Sequence, residues 1–235
     1  MYGDSPDDHQ EIYGATMAEF MSQANSIMES GKKVIIEKTR SINFYLIRHA
    51  QAEINLVDII GGRSNDSPLT TKGVKQAKDL SKRIQKLMTP SSLVVSSPAL
   101  RTLKTLEYSL PNISKRLILD DLQELDQGDF TGKYRKKVYT GRIQKEIAKD
   151  YWNFKPPSGE SQADVANRAY NVVDELVTQF PINDFFIFTH GGLIKYLCAD
   201  LFDWDKQKVW EIYVDNASIT HLTYDGNWNL IKFNG

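Results

Sequence analysis

Four places in this sequence set a chemically unusual residue at the end of an apolar run. Arg48-His49 follows Ile42 to Ile47, Arg101 comes just after Leu93 to Val95, Glu124 after Leu117 to Leu119, and His190-Gly191 directly after Phe185 to Phe188. The runs are dense in β-branched and aromatic residues, as strands buried on both faces would be. In an open α/β sheet, ligands bind at the carboxyl ends of the strands, so these residues would converge on one crevice despite their separation in the chain. Two arginines, two histidines and a carboxylate meeting there would attract anions strongly. Zinc is the competing ligand, since two histidines and a carboxylate can bind it. Arg48 and Arg101 would repel a dication, however, and neither histidine belongs to a recognisable ligand motif, so no metal is expected.

For such residues to meet, helices must carry the chain back between parallel strands. Thr71 to Met88 places Val74, Ala77, Leu80, Ile84 and Leu87 at helical spacing behind a threonine cap. Ser97-Pro98 opens a second helix, with Pro in the first helical position. Val165, Ala169, Val172, Leu176 and Phe180 mark a third, and Gly191-Gly192 introduces another. Ile219 to Tyr224 and Trp228 to Phe233 flank Asp225-Gly226 and read as a hairpin. The expected organisation is an extension over residues 1–40 and one domain over residues 41–235. The extension carries an amphipathic helix through Met17, Phe20, Met21, Ala24, Ile27 and Met28, ended by Gly31. Two readings stand for it: a helix packed on the main domain, or a docking or dimerisation helix, the latter making a homodimer.

Composition narrows the partners. The chain has 29 Lys and Arg against 30 Asp and Glu, so it has no global basic field to gather nucleic acid or an acidic membrane, and anion binding must be local. Cys198 alone rules out an internal disulfide framework. The first ten residues are acidic with no apolar run after a basic segment, and nowhere do roughly 18 consecutive apolar residues occur. The expectation is a soluble cytoplasmic protein that binds no nucleic acid and no membrane.

The ordered motifs now support a resemblance. Leu46-Ile47-Arg48-His49-Ala50-Gln51-Ala52 resembles the signature of the histidine phosphatase superfamily, which includes cofactor-dependent phosphoglycerate mutases. Further matches follow in the family's order: Pro68-Leu69-Thr70 with Gly73, Gln76 and Ala77; Ser97-Pro98 with Arg101 and Thr105; Glu124 with Gly128 and Gly132; Pro157 to Ser161; His190-Gly191-Gly192; and Asn216. They cover residues 41 to 235. The resemblance implies an α/β fold, a three-layer α/β/α sandwich around a mixed, mostly parallel six-stranded sheet.

It also implies roles. His49 would be the nucleophile, a task suited to a neutral imidazole with an unperturbed pKa of about 6.5. Arg48 and Arg101 would hold the equatorial phosphoryl oxygens. His190 would stabilise charge on the transferring group, helped by free donors at the helix start that Gly191-Gly192 introduces. Asn55 matches a phosphate-contacting position, with a turn residue as its ordinary alternative. Glu124 would protonate the departing alkoxide and then activate water, with Asp126 as the competing acid. For each histidine the ordinary alternative is a satisfied core residue, and for each arginine a surface ion pair.

Departures from the pattern bear on the substrate. Leu125 and Gln127 stand where mutases carry Arg and Tyr, and Gly192-Leu193 stands where they carry Asn-Ser. Ala50 and Ala52 replace a commoner Gly and a hydroxyl residue. The expected activity is hydrolysis of a small phosphorylated substrate, a metabolite or phosphopeptide, without cofactor or metal. A phosphoglycerate mutase and a non-catalytic phosphate-binding scaffold are the alternatives. Lys133 to Phe154, with Lys133, Arg135, Lys136, Lys137 and Arg142 among Tyr134, Tyr139, Tyr151 and Trp152, corresponds to the family's variable region over the pocket mouth. There it would favour extra negative charge or a large aromatic leaving group; its ordinary reading is a solvated helix face with core aromatics.

Overall fold

Every second residue of the central strands faces a different apolar layer, which is why these strands are continuously hydrophobic. The computed structural model describes residues 40–235, so the amphipathic helix expected through Met17 to Met28 lies outside the described residues. In Ile42–Arg48 (β1), Phe44 and Leu46 enter one buried cluster while Tyr45 and Ile47 enter another. The first cluster is closed by Gln162–Gln179 (α5) and Gly191–Leu201 (α6), the second by Thr71–Gln85 (α1) and Leu100–Ser109 (α2). Asp184–Thr189 (β4) repeats the division, with Phe185 and Ile187 on one side and Phe186 and Phe188 on the other.

The remaining strands are Leu93–Ser96 (β2), Arg116–Ile118 (β3), Ile219–Tyr224 (β5) and Trp228–Lys232 (β6). The sheet order is β3-β2-β4-β1-β5-β6. The four strands from β3 to β1 are parallel and the last two pairings antiparallel. This is the expected three-layer sandwich, with the hairpin at Asp225-Gly226, where Gly226 takes φ of 106°. Phe44, Phe185, Phe186 and Phe188 are fully buried at its centre, each worth about 1.5 to 3 kcal/mol, so the ends of β1 and β4 stand on the most firmly held part of the molecule. No described helix is long and apolar enough to cross a membrane.

Strand ends differ from the sequence reading by a residue or so, and two helix boundaries by two or three. Helix α1 stops at Gln85 instead of Met88, and α2 begins at Leu100 instead of Pro98, with Ala99 as its cap. Ala99 is extended (φ −61°, ψ 136°), so the helix starts after it, and the Ser97 hydroxyl lies 2.9 Å from His190 Nε2 while accepting only a long bond, 3.4 Å, from Ala99 N–H. Within Lys133 to Phe154 lie two short helices, Arg135–Val138 (α3) and Gly141–Lys149 (α4).

Candidate active site

His49 is the residue after β1, and its backbone N–H is bonded to Thr189 O at 3.0 Å, across from the end of β4. The next residue, Ala50, donates its N–H to Thr105 Oγ1 at 2.9 Å, and Gln51 donates to Gln76 Oε1 at 2.9 Å. A Cβ on Gly73 would stand 2.0 Å from Gln51 O; only glycine lets the start of α1 lie against this loop. The motif residues downstream of His49 therefore hold its loop to α1 and α2.

The imidazole of His49 is 3% exposed, and its Nδ1 lies 2.8 Å from Ala50 O. A carbonyl can only accept, so Nδ1 carries the proton and Nε2 keeps its lone pair. Burial, with the Arg101 and Arg48 guanidinium groups nearby, holds His49 well below the ordinary histidine range. The result is a neutral imidazole with a free nitrogen.

His190 is fully buried and caps α6. Its ring centroid is 5.3 Å from that of His49. Burial first, then Arg101 and His49, lowers its pKa well below the ordinary value as well. Ser97 engages Nε2, while Nδ1 has no partner. Arg48 bonds Val214 O through one nitrogen and packs 5.2 Å from the Tyr213 ring centroid, and its buried Nε has no partner. Buried polar atoms rarely stay unsatisfied. Two of them in one site, on a histidine and an arginine, suit an anion. Arg101, 4% exposed, is aimed by the carbonyls of Ser64 (2.5 Å) and Gly62 (3.5 Å).

Glu124 follows the short turn Asp120–Leu122, and its carboxylate meets the start of α6. Its Oε1 accepts from Leu125 N–H at 2.9 Å and its Oε2 from Gly192 N–H at 3.1 Å. A Cβ on Gly192 would come within 2.2 Å of Glu124 Oε1. The donor at the helix start expected to serve phosphate thus serves the carboxylate, and Gly192 is the residue that makes room for it. Asp126, the competing acid, accepts from Gly128 N–H at 2.8 Å and lies 4.0 Å from Arg63 Nε, so it is engaged in its own loop.

A second carboxylate holds this loop in place. Glu160 binds Arg168 through both oxygens (3.0 and 3.1 Å), Arg63 at 2.7 Å and Asp126 N–H at 3.0 Å. Arg168 in turn donates to Asp121 O and Glu124 O, on either side of the acid's segment. Against the upward push of burial, Arg168, the Asp126 N–H and Arg63 hold Glu160 below the usual carboxylate range.

A cleft of about 250 Å³ opens over these groups, lined by Arg48, Glu124, Gly191 and Gly192 together with Lys195 and Tyr213. His49, Arg101 and His190 are buried and are not part of its lining. Asn55 is exposed and also outside the lining; its Oδ1 accepts from Ala52 N–H at 3.0 Å and Asn216 Nδ2 at 3.4 Å, which is the work of a turn residue. Of the cations in Lys133 to Phe154, only Arg135 lines the cleft, and Tyr151 and Trp152 pack on the core. Cys198 is buried in α6 with its thiol pushed up to about 12, so it is no rival nucleophile.

Sequence reasoning passed over Lys195, Glu160 with Arg168, and the pairing of Ser97 with His190. Lys195 had a signal, being the lone charge in the apolar stretch Gly191 to Ala199. Glu160 lay within the Pro157 to Ser161 match without a role, eight residues from Arg168, and the Ser97 pairing had no signal because His190 is 93 residues away.

Comparison with known proteins gives the family. The profile of the histidine phosphatase superfamily (branch 1) matches residues 44–234. A Hydrogenobacter thermophilus protein provisionally named phosphoserine phosphatase 2 is 28% identical over 197 residues, covering 80% of this chain and 93% of its own. A Caenorhabditis elegans 6-phosphofructo-2-kinase/fructose-2,6-bisphosphatase is 29% identical over 184 residues; the match takes in 77% of this chain and 38% of that one. Among solved structures, a mycobacterial glucosyl-3-phosphoglycerate phosphatase complexed with VO3 has 25% identity and a TM-score of 0.70, covering 83% of this chain and 99% of its own.

Proposed function

The chain belongs to the histidine phosphatase superfamily, branch 1, and from that premise we propose that it is a phosphomonoester hydrolase that works through a phosphohistidine on His49. The observation that carries the reading is the protonation pattern of His49: Nδ1–H committed to Ala50 O, and a neutral ring with Nε2 unencumbered. Nε2 attacks phosphorus as the ester bond breaks on the opposite side. Arg48 and Arg101 take the equatorial oxygens, and His190 donates through Nδ1 when Ser97 donates to its Nε2. Asn55, whose Oδ1 is held in its turn, keeps its amide nitrogen for a further phosphate contact. Protonated Glu124 supplies the proton that the leaving alkoxide needs. The carboxylate it becomes then takes a proton from water as the water attacks the phosphohistidine, releasing phosphate and restoring both groups.

Hydrolysis, as opposed to isomerisation, is supported by Leu125, whose side chain is buried in the core and offers no charge to a substrate carboxylate. The reaction needs no metal: the two guanidinium groups supply the charge a dication would, and would repel one. A cytoplasmic setting is supported by the free, buried thiol of the chain's sole cysteine.

The test is phosphate release from nitrophenyl phosphate in EDTA without any bisphosphate primer. His49→Ala should lower turnover by roughly 10⁴-fold or more while the protein stays folded. Substantial turnover in the folded mutant would sink the mechanism. Isomerisation of 3-phosphoglycerate much faster than phosphate release would make the protein a mutase, and no release from any ester a scaffold.

A further inference from the structure

Beyond the groups given to the phosphoryl oxygens, the cleft contains a cation without a task. Lys195 lies one helical turn beyond Gly191 and Gly192, and because those two have no side chains, it is the first side chain of α6 to line the cleft. Its ammonium is half-buried and reaches Ile212 O only at 3.3 Å, 5.3 Å from the Tyr196 ring centroid. It forms no ion pair among the described residues. Glu124, the one carboxylate in the lining, is held by two backbone N–H groups instead. Burial lowers Lys195 from the ordinary lysine range, with Glu124 pulling the other way, as for a charge short of countercharge. Arg135 lines the same cleft, and its guanidinium makes no hydrogen bond or ion pair among the described residues. One phosphoryl group is matched by Arg48 and Arg101. Lys195 and Arg135 remain.

We propose that Lys195, with Arg135, binds a second anionic group of the substrate, so that the preferred esters are phosphomonoesters whose alcohol carries a carboxylate or a second phosphate. This rests on the phosphatase reading above, and it decides between the two substrate types that the segment Lys133 to Phe154 suggested. A charged tail would find a partly desolvated ammonium, where an ionic hydrogen bond is stronger than in water. A large aromatic leaving group would leave that ammonium buried and unpaired.

Matched esters test it. Carboxymethyl phosphate and 1,3-propanediol bisphosphate carry charged tails, 2-hydroxyethyl phosphate a neutral one, and nitrophenyl phosphate reports the phosphatase chemistry itself. The wild-type protein should prefer a charged tail in kcat/KM, and whichever of the two it prefers names the second group. Lys195→Gln should reduce that preference ratio by about 10- to 100-fold, mainly through KM, and Arg135→Gln by a smaller factor. Dissociation constants of the same esters on the His49→Ala protein give the ratio without turnover. If nitrophenyl phosphate is not hydrolysed, the phosphatase reading fails while those constants still judge the subsite. The proposal is overturned if the wild-type protein shows no preference for a charged tail. It is equally overturned if Lys195→Gln slows charged and neutral esters alike while shifting the pH profile, which would make Lys195 a tuner of Glu124.

Discussion

At the scale of single residues, the site is a matter of which atoms are already spoken for. His49 Nδ1 and both oxygens of Glu124 are fixed by backbone groups, which leaves one lone pair on the histidine and an oriented carboxyl group at the start of α6. Glu124→Gln keeps the shape but can neither give nor take a proton, and its amide NH2 would face a backbone N–H. Aryl phosphates leave as stabilised phenolates and need little protonation, whereas alkyl esters need it fully. The substitution should therefore slow alkyl esters at least about 100-fold more than nitrophenyl phosphate, measured as kcat/KM on the two. Equal losses would move the acid role to Asp126 or leave Glu124 structural.

At the scale of elements, Glu160 connects pieces of chain that meet only in the folded state. Through Arg168 on α5 it holds the segment from Asp121 to Glu124, and through Arg63 it reaches the loop whose carbonyls aim Arg101. One carboxylate thus sets the acid and a phosphate-binding arginine relative to each other. Glu160→Gln retains volume and removes the charge that three partners share. It should cost about 2 to 3 kcal/mol of stability and lower kcat on alkyl esters about tenfold through a misplaced Glu124, with restoration by Asp incomplete because the carboxylate falls short. Chemical denaturation and steady-state kinetics read the two effects. A destabilised mutant with wild-type kcat would show that the network holds the fold but not the acid.

At the scale of the whole molecule, catalysis and stability share two buried neutral histidines. In the folded chain His49 and His190 titrate well below the ordinary value; in the unfolded chain both titrate near about 6.5. Below that pH the unfolded state binds more protons, so the folded state loses stability as pH falls, up to about 1.4 kcal/mol per pH unit for each histidine. Above about pH 6.5 the contribution is complete and the dependence flattens. Melting temperature should fall steadily from pH 6.5 to 5, and more gently in His190→Gln. A flat wild-type profile over that window would show that neither histidine is held neutral in the folded state.

The sequence determined most of the architecture and the identity of the central groups, because both are written locally. Continuous apolar runs such as Phe185 to Phe188 signal strands buried on two faces, periodic segments such as Val74 to Ile84 signal the helices that cover them, and Arg48, His49 and His190 fall at the ends of parallel strands, with Arg101 and Glu124 in the segments that follow them. Ser97 shows the limit of local reading: its position before Pro98 suits a helix cap, yet a partner 93 residues away takes its hydroxyl. Only the tertiary structure decided which nitrogen of His49 is free, that the Gly192 N–H serves Glu124 and not phosphate, that Asn55 works in a turn, and that Lys195 reaches the cleft. The Gly192 contact and the place of Lys195 depend on segments remote in sequence, while the bonds of His49 to Ala50 and of Asn55 to Ala52 are local and take their geometry from the loop that the fold imposes. Such contacts form only when the sheet brings its strand ends together, and no pattern of neighbouring residue types encodes them.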